Sequence, residues 1–62
     1  MVFYKVTSRY YGHGKTEAEI EAIESEKQPK NEFISTAVCD TYYDYFESYE
    51  RAQRAYTDAK NG

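Results

Sequence analysis

Strand-forming residues fill the ten positions after Met1, VFYKVTSRYY at 2–11. β-Branched and aromatic side chains suit a pleated surface, so this run predicts a strand. Because side chains alternate along a strand, one face would carry Val2, Tyr4, Val6, Ser8 and Tyr10, and the other Phe3, Lys5, Thr7, Arg9 and Tyr11. Gly12-His13-Gly14 then predicts a tight turn, in which Gly14 suits a left-handed backbone.

The segment after this turn supports two interpretations. Thr16 and Glu19 fit a helical capping box, and Ala, Ile, Glu and Lys favour a helix over 16–27. Cross-strand pairing favours a hairpin of 2–11 with 15–25 instead, because folding the chain about His13 matches charges on one face and small or apolar groups on the other. The pairs are Lys5 with Glu21, Arg9 with Glu17, Val6 with Ile20, Tyr4 with Ala22, Ser8 with Ala18 and Phe3 with Ile23. A slip of one residue would destroy both matches, so we predict the hairpin.

The C-terminal part predicts a strand followed by an amphipathic helix. Residues 41–46 (TYYDYF) are rich in strand formers. Ser48 is a good N-cap for a helix reaching residue 60, and Asn61 and Gly62 supply a stop. One apolar stripe runs along this helix through Tyr49, Ala52, Tyr56 and Ala59. A single helix over 42–60, capped at Thr41, is the alternative.

Between the hairpin and this strand, 26–32 (EKQPKNE) predicts a connector, and 33–38 (FISTAV) either starts the third strand early or forms an ordered loop. We therefore predict an α+β fold, β-β-β-α, as one domain over 1–62. A three-stranded antiparallel sheet would pack against one C-terminal helix. The predicted core is Tyr4, Val6, Ala18, Ile20, Ala22, Cys39, Thr41, Tyr43, Tyr45, Tyr49, Ala52, Tyr56 and Ala59.

Length and charge narrow the class of protein. A chain of 62 residues buries a small core, so a partner or a second copy would add useful burial. The net charge is −3, and the charged residues fall in blocks. Residues 1–16 hold bases without acids, whereas residues 17–26 hold five glutamates without a base. Such blocks indicate pairing between neighbouring elements. One cysteine, no signal peptide and no long apolar run lead us to expect a cytoplasmic protein.

Catalytic and metal chemistry lack a recognisable motif. One His and one Cys do not make a four-ligand zinc site, and no phosphate-binding glycine loop is present. A thiol nucleophile at Cys39 would need His13 within hydrogen-bond reach, and we expect His13 at the hairpin tip and Cys39 in the core. We therefore expect no enzyme activity, no cofactor and no metal.

The sheet face away from the helix is the predicted binding surface, with an apolar centre and an acidic rim. Its residues would be Phe3, Lys5, Thr7, Arg9, Tyr11, Glu17, Glu19, Glu21, Ile23, Asp40, Tyr42, Asp44 and Phe46. A solvated face of paired charges is the alternative reading.

Three functions fit this sequence. The first is a small acidic protein-binding module, a regulator or inhibitor of the kind that phages and mobile elements encode, acting by surface complementarity. The second is nucleic-acid binding through the sheet, which the excess of carboxylates disfavours. The third is a structural homo-oligomer, with a homodimer as its simplest form. We expect a protein partner and no membrane association.

Overall fold

The computed structural model describes residues 1–61 and has an α+β architecture, as expected. Four strands and one helix follow each other in the order β1 (Val2–Tyr11), β2 (Thr16–Glu24), β3 (Glu32–Ser35), β4 (Cys39–Phe46) and α1 (Tyr49–Asn61). The strands form one antiparallel sheet with the spatial order β2-β1-β4-β3. The prediction of three strands was wrong, because the sheet has a fourth.

The β1–β2 hairpin is confirmed in its register. Lys5 lies opposite Glu21 and Val6 opposite Ile20, and the other four predicted pairs also match. The turn closes with Tyr11 N donating to Lys15 O at 2.8 Å, and Gly14 takes a φ of 90°, a conformation that favours glycine. The alternative of a helix over 16–27 was wrong, because cross-strand contacts outweigh the helical propensity of this segment.

β3 is the strand that the sequence analysis left open as a loop or an early start of the third strand. It is short, all four of its residues are exposed, and it pairs with β4 from Glu32 opposite Tyr43 to Ser35 opposite Asp40. Thr36 N donates to Cys39 O at 2.9 Å and closes the turn between the two strands. With both faces exposed, β3 lacks the alternating pattern that identifies a strand from sequence.

The C-terminal part is a strand followed by a helix, so the alternative of one helix over 42–60 was wrong. Ser48 caps α1: its carbonyl accepts from Ala52 N at 3.1 Å, and its hydroxyl oxygen accepts from Arg51 N at 3.4 Å. Glu50 lies in the first turn of the helix and Lys60 in the last, in agreement with the helix dipole. Asn61, predicted as part of the stop, is the last residue of α1, and Gly62 lies outside the described residues.

The helix lies on the face of the sheet that carries Tyr4 and Val6. The Tyr4 and Tyr49 rings meet edge to face at 5.3 Å, and Thr16 Oγ1 donates to Lys60 O at 3.4 Å. The helix contacts β2 and β1 extensively and β4 only slightly, and within residues 1–61 it does not contact β3. Val6, Ala52 and Ala59 are buried between helix and sheet. We call this side the helix face and the opposite side the free face.

The β4 part of the predicted core was wrong by one residue of register. Val6 lies opposite Asp44 and Thr7 opposite Tyr43, which places Cys39, Thr41, Tyr43 and Tyr45 on the free face. Asp40, Tyr42, Asp44 and Phe46 share the helix face with Val6 instead. The prediction assumed that the helix covers β4. Because it does not, the helix face of β4 can carry carboxylates that stay in contact with water.

Candidate functional site

The predicted binding surface is divided between two surfaces of the sheet. The free face holds the hairpin residues of the predicted binding surface. These are Phe3, Lys5, Thr7, Arg9, Tyr11, Glu17, Glu19, Glu21 and Ile23. Asp40, Tyr42 and Asp44 lie on the helix face, on a part of β4 that α1 leaves uncovered, and Phe46 lies on the same face at the end of β4 next to α1. The structure therefore does not bring the β4 residues of the predicted site together with those of the hairpin.

The free face is a surface of mutually satisfied side chains. Lys5 Nζ lies 3.9 Å from Glu21 Oε1 and 4.7 Å from the centre of the Tyr43 ring. Arg9 Nη1 donates to Glu19 Oε1 at 3.3 Å, a diagonal partner rather than the directly opposite Glu17 that the sequence predicted. The two bases that β1 places on this face are therefore engaged within the chain, and little of their charge is free for a ligand.

Glu17 has a different partner, the hydroxyl of Tyr11, which donates to Glu17 Oε1. This hydrogen bond lowers the pKa of Glu17 and raises the pKa of Tyr11, because it stabilises the ionised carboxylate and the protonated phenol. Phe3, Thr7 and Thr41 are buried on the same face, among the longer side chains around them. The free face thus corresponds closely to the alternative reading, a face of paired charges.

The helix face of β4 and β3 has a different character. Three aromatic rings cross three strands there: Tyr10 meets Tyr42 edge to face at 5.6 Å, and Phe33 packs on Tyr42 at 4.7 Å. Asp40 and Asp44 flank Tyr42 along β4. Ser8, Tyr10, Asp40, Tyr42 and Asp44 line a shallow groove of about 410 Å³. We call the surface formed by Tyr10, Phe33, Asp40, Tyr42 and Asp44 the acid–aromatic patch.

The two carboxylates of the acid–aromatic patch differ in their surroundings. Asp40 Oδ1 accepts a hydrogen bond from Ser35 Oγ at 2.7 Å. Asp44 is half-buried, and within residues 1–61 no hydrogen bond or ion pair to its carboxylate is present. Burial raises the pKa of Asp44, since removal from water disfavours the ionised form. A positive charge supplied from outside the chain would therefore be favoured here.

No basic side chain shares the helix face of β1, β3 and β4 with these carboxylates, because the bases of these strands, Lys5 and Arg9, both point to the free face. Phe46 lies at the far end of β4, away from the patch, and lines a second groove of about 490 Å³ with Gln28 and Arg51. Of the predicted site residues, Tyr42 and Asp44 thus form part of one surface, together with Asp40.

Tyr10 and Phe33 are the patch residues that sequence reasoning missed as site residues. Tyr10 was assigned to the helix face but not to a site, because the helix was expected to cover that face. Phe33 belongs to the segment 33–38, for which the sequence predicts either an early start of the third strand or an ordered loop. The signal that could have found them is the polar character of every second residue along β4. Asp40, Tyr42 and Asp44 share one face, and such a face indicates contact with water.

Cys39 and His13 each lie beside Tyr11. Cys39 is on the free face beside Tyr11, and the His13 ring stacks on the Tyr11 ring at 5.9 Å. Within the described residues no hydrogen bond joins His13 to Cys39, whose Sγ lies 3.7 Å from Thr41 Oγ1. Residues 1–61 contain no group of three or more His, Cys, Asp or Glu side chains placed to hold a metal ion.

Similarity to known proteins supplies no function for this chain. In the part of the chain that the structure describes, no helix has the length and apolar character needed to cross a membrane. Protein-family models, curated proteins and solved structures were compared with this chain, and none of them matches it significantly. The functional argument consequently depends on the surfaces of the molecule itself.

Proposed function

We propose that this chain is a small non-enzymatic protein-binding module that acts by surface complementarity. The observation that carries the proposal is the acid–aromatic patch, three rings and two carboxylates on a part of the sheet that the helix leaves uncovered. Its role would be that of a regulator or inhibitor, and its small size and acidic charge suit an accessory protein of a phage or mobile element.

The chemistry of the patch favours a cationic segment of a partner protein. A guanidinium group can stack on the exposed Tyr42 ring and form paired hydrogen bonds with a carboxylate, and arginine is enriched at protein interfaces for this reason. Asp44, with no internal partner among the described residues, would gain most from such a contact. Lysine would satisfy the charge but not the stacking and paired hydrogen bonds.

Nucleic-acid binding through the sheet is less well supported. Phosphate contacts require free positive charge, and the two bases that β1 places on the free face are already engaged with Glu21, Glu19 and Tyr43. The acid–aromatic patch would repel a phosphate backbone. Stacking of bases on Tyr42 and Phe33 would therefore have to overcome the charge of Asp40 and Asp44.

The proposal can be tested by affinity capture from nuclease-treated lysate with three forms of the tagged protein. The wild type is compared with Asp44→Asn plus Tyr42→Ala, which removes charge and stacking from the patch. The matched control is Glu26→Gln, which removes one negative charge from the connector, away from the patch. We expect a protein captured by the wild type and the control but not by the patch variant. Equal capture by all three forms, or capture that nuclease abolishes, would contradict the proposal.

Arginine selectivity can be measured separately by NMR titration with two synthetic peptides that differ only by arginine in place of lysine. We expect shifts at Tyr42, Asp44 and Phe33, and affinity for the arginine peptide higher by several-fold. Shifts confined to other residues would place the binding surface elsewhere.

A further inference from the structure

The two edges of the sheet differ in what they expose. β2 is one edge and β3 is the other. Every residue of β3 is exposed, including Phe33 at 55% and Ile34 at 46%, which point to opposite faces. β3 has no proline, lysine or arginine, the residues with which proteins commonly protect an open edge against pairing. An edge of this kind is a template for another strand.

The backbone of β3 shows which groups are free to pair. Thr36 N donates to Cys39 O at 2.9 Å, so the backbone of Thr36 faces β4. Backbone groups of successive residues in an antiparallel strand point to opposite sides. The N–H and C=O groups of Phe33 and Ser35 are therefore directed away from the sheet, where they can bind an added strand.

We propose that β3 pairs antiparallel with β3 of a second copy of this chain, about a two-fold axis that passes between the two Phe33 residues. A two-fold axis perpendicular to the sheet keeps the helix faces of both copies on one side, so residue pairs across it share a face. Phe33 then lies opposite Phe33 of the second copy as a hydrogen-bonded pair. Glu32 lies opposite Ile34 of the second copy, and Asn31 lies opposite Ser35 of the second copy.

This register is self-complementary. No like charges lie directly opposite each other, and the two Glu32 carboxylates are related only diagonally. The outward backbone groups of Phe33 and Ser35 are the ones that the register uses. On the helix face, the row of Tyr10, Tyr42 and Phe33 continues into the same row of the second copy, which buries part of both exposed Phe33 rings.

The β2 edge is unsuited to the same arrangement. Glu17, Glu19 and Glu21 alternate along it. Every two-fold register centred on residues 18–21 would place glutamates opposite glutamates, which destabilises strand pairing. The chain thus has one protected edge and one edge open to its own copy. A core limited by 62 residues adds a reason for dimerisation, since small domains gain stability from added burial.

The dimer does not depend on the proposed function, because edge pairing covers part of Phe33 but leaves Asp40, Tyr42 and Asp44 of the acid–aromatic patch open. Sedimentation equilibrium of the purified chain, with no partner present, tests the dimer alone. We expect a reversible monomer–dimer equilibrium that follows mass action. A chain that stays monomeric at every concentration up to about 1 mM would overturn the proposal, since it would mean association weaker than about 4 kcal/mol.

Variants test the site of pairing. Phe33→Lys places two like charges opposite each other and should raise the dimer dissociation constant at least about tenfold. Val38→Lys is the matched control, since Val38 is exposed in the β3–β4 turn and outside β3, and its dissociation constant should stay within about two-fold of the wild type. Equal dissociation constants for Phe33→Lys and the wild type would overturn the proposal.

Disulfide trapping tests the register. In a Cys39→Ser background, Phe33→Cys should cross-link readily on mild oxidation, because hydrogen-bonded antiparallel pairs have Cα atoms about 5.5 Å apart, within disulfide range. Glu19→Cys on the β2 edge, in the same background, should cross-link much more slowly. Faster cross-linking at position 19 than at position 33 would contradict pairing through β3.

Discussion

The β1–β2 half of the sheet and the β4–β3 half differ in how far α1 covers them and in whether their charged side chains are paired. The hairpin half is covered by α1 on one face and has paired charges on the other. Among residues 1–61, the β4–β3 half has no helix over β3 and no hydrogen bond or ion pair to the Asp44 carboxylate, and it has an apolar edge at Phe33. The charged side chains of the first half are paired within the chain, whereas the second half leaves apolar and acidic side chains in contact with water. Under the proposed function, stability would depend mainly on the hairpin strands and binding on β3 and β4.

The largest difference should come from truncating one phenylalanine in each half of the sheet. Phe3 is 1% exposed and Phe33 is 55% exposed, although both are phenylalanines on strands. Phe3→Ala should lower the free energy of unfolding by about 3–5 kcal/mol, because it leaves a cavity in the core. Phe33→Ala should lower it by less than about 1 kcal/mol in dilute monomer. Urea denaturation measures both, and similar losses would remove the contrast between the halves.

The hairpin turn should show the next largest effect. Gly14 has a φ of 90°, where an L side chain is strained even though a Cβ would meet nothing within 4 Å. Gly14→Ala should therefore cost about 1–2 kcal/mol of unfolding free energy. Gly12→Ala is the matched control, because a Cβ there is also unobstructed and no positive φ is required. Thermal melts of the two variants should differ, and identical melts would mean that the turn tolerates alanine at both positions.

The charged pairs of the free face should contribute less. Lys5→Glu alone places like charges opposite Glu21 and should lower the unfolding free energy by under about 1 kcal/mol. Lys5→Glu with Glu21→Lys restores the pair but not the contact of Lys5 with the Tyr43 ring, so recovery should be incomplete. A double-mutant cycle measures the coupling. A coupling of zero would show that the register, and not the ion pair, stabilises the hairpin.

The smallest effect belongs to Asp44. Because burial raises its pKa above the usual 3.8, the folded protein binds this proton more tightly than the unfolded chain does. Ionised Asp44 therefore lowers stability at neutral pH, and this cost disappears as the pH falls through the folded pKa and below 3.8.

Asp44→Asn should accordingly raise the free energy of unfolding, measured by urea denaturation, at about pH 7. The gain should be under about 1 kcal/mol because the group is partly exposed, and the free energy of unfolding should change little at about pH 3. Glu26→Gln, an exposed charge in the connector, provides the matched comparison. A stabilisation by Asp44→Asn that is equal at both pH values would indicate packing rather than charge.

The difference between the two halves also explains what the sequence could predict. The hairpin register follows from the residues alone, because Lys5 with Glu21 and Val6 with Ile20 constrain both faces at once. The capped helix after Ser48 follows for similar local reasons. β3 and the faces of β4 could not be derived in this way. Phe33 and Ile34 give no alternation, and the side of β4 that faces water depends on how far α1 extends across the sheet.

The spatial order of the strands has a consequence for how the chain folds. β1 with β2 and β3 with β4 are each joined by a short turn, but the central pair β1–β4 brings together residues as distant as Tyr4 and Phe46. The chain segment between them passes through 25–31, where Gln28 Nε2 donates to Tyr45 O at 3.1 Å and Asn31 Oδ1 accepts from Tyr45 N at 3.0 Å. Two local hairpins can form within microseconds, whereas joining them requires closure of a long loop. We therefore expect docking of the two hairpins to set the folding rate, and we expect the side chains of Gln28 and Asn31, which hold the connection to β4, to act on that step.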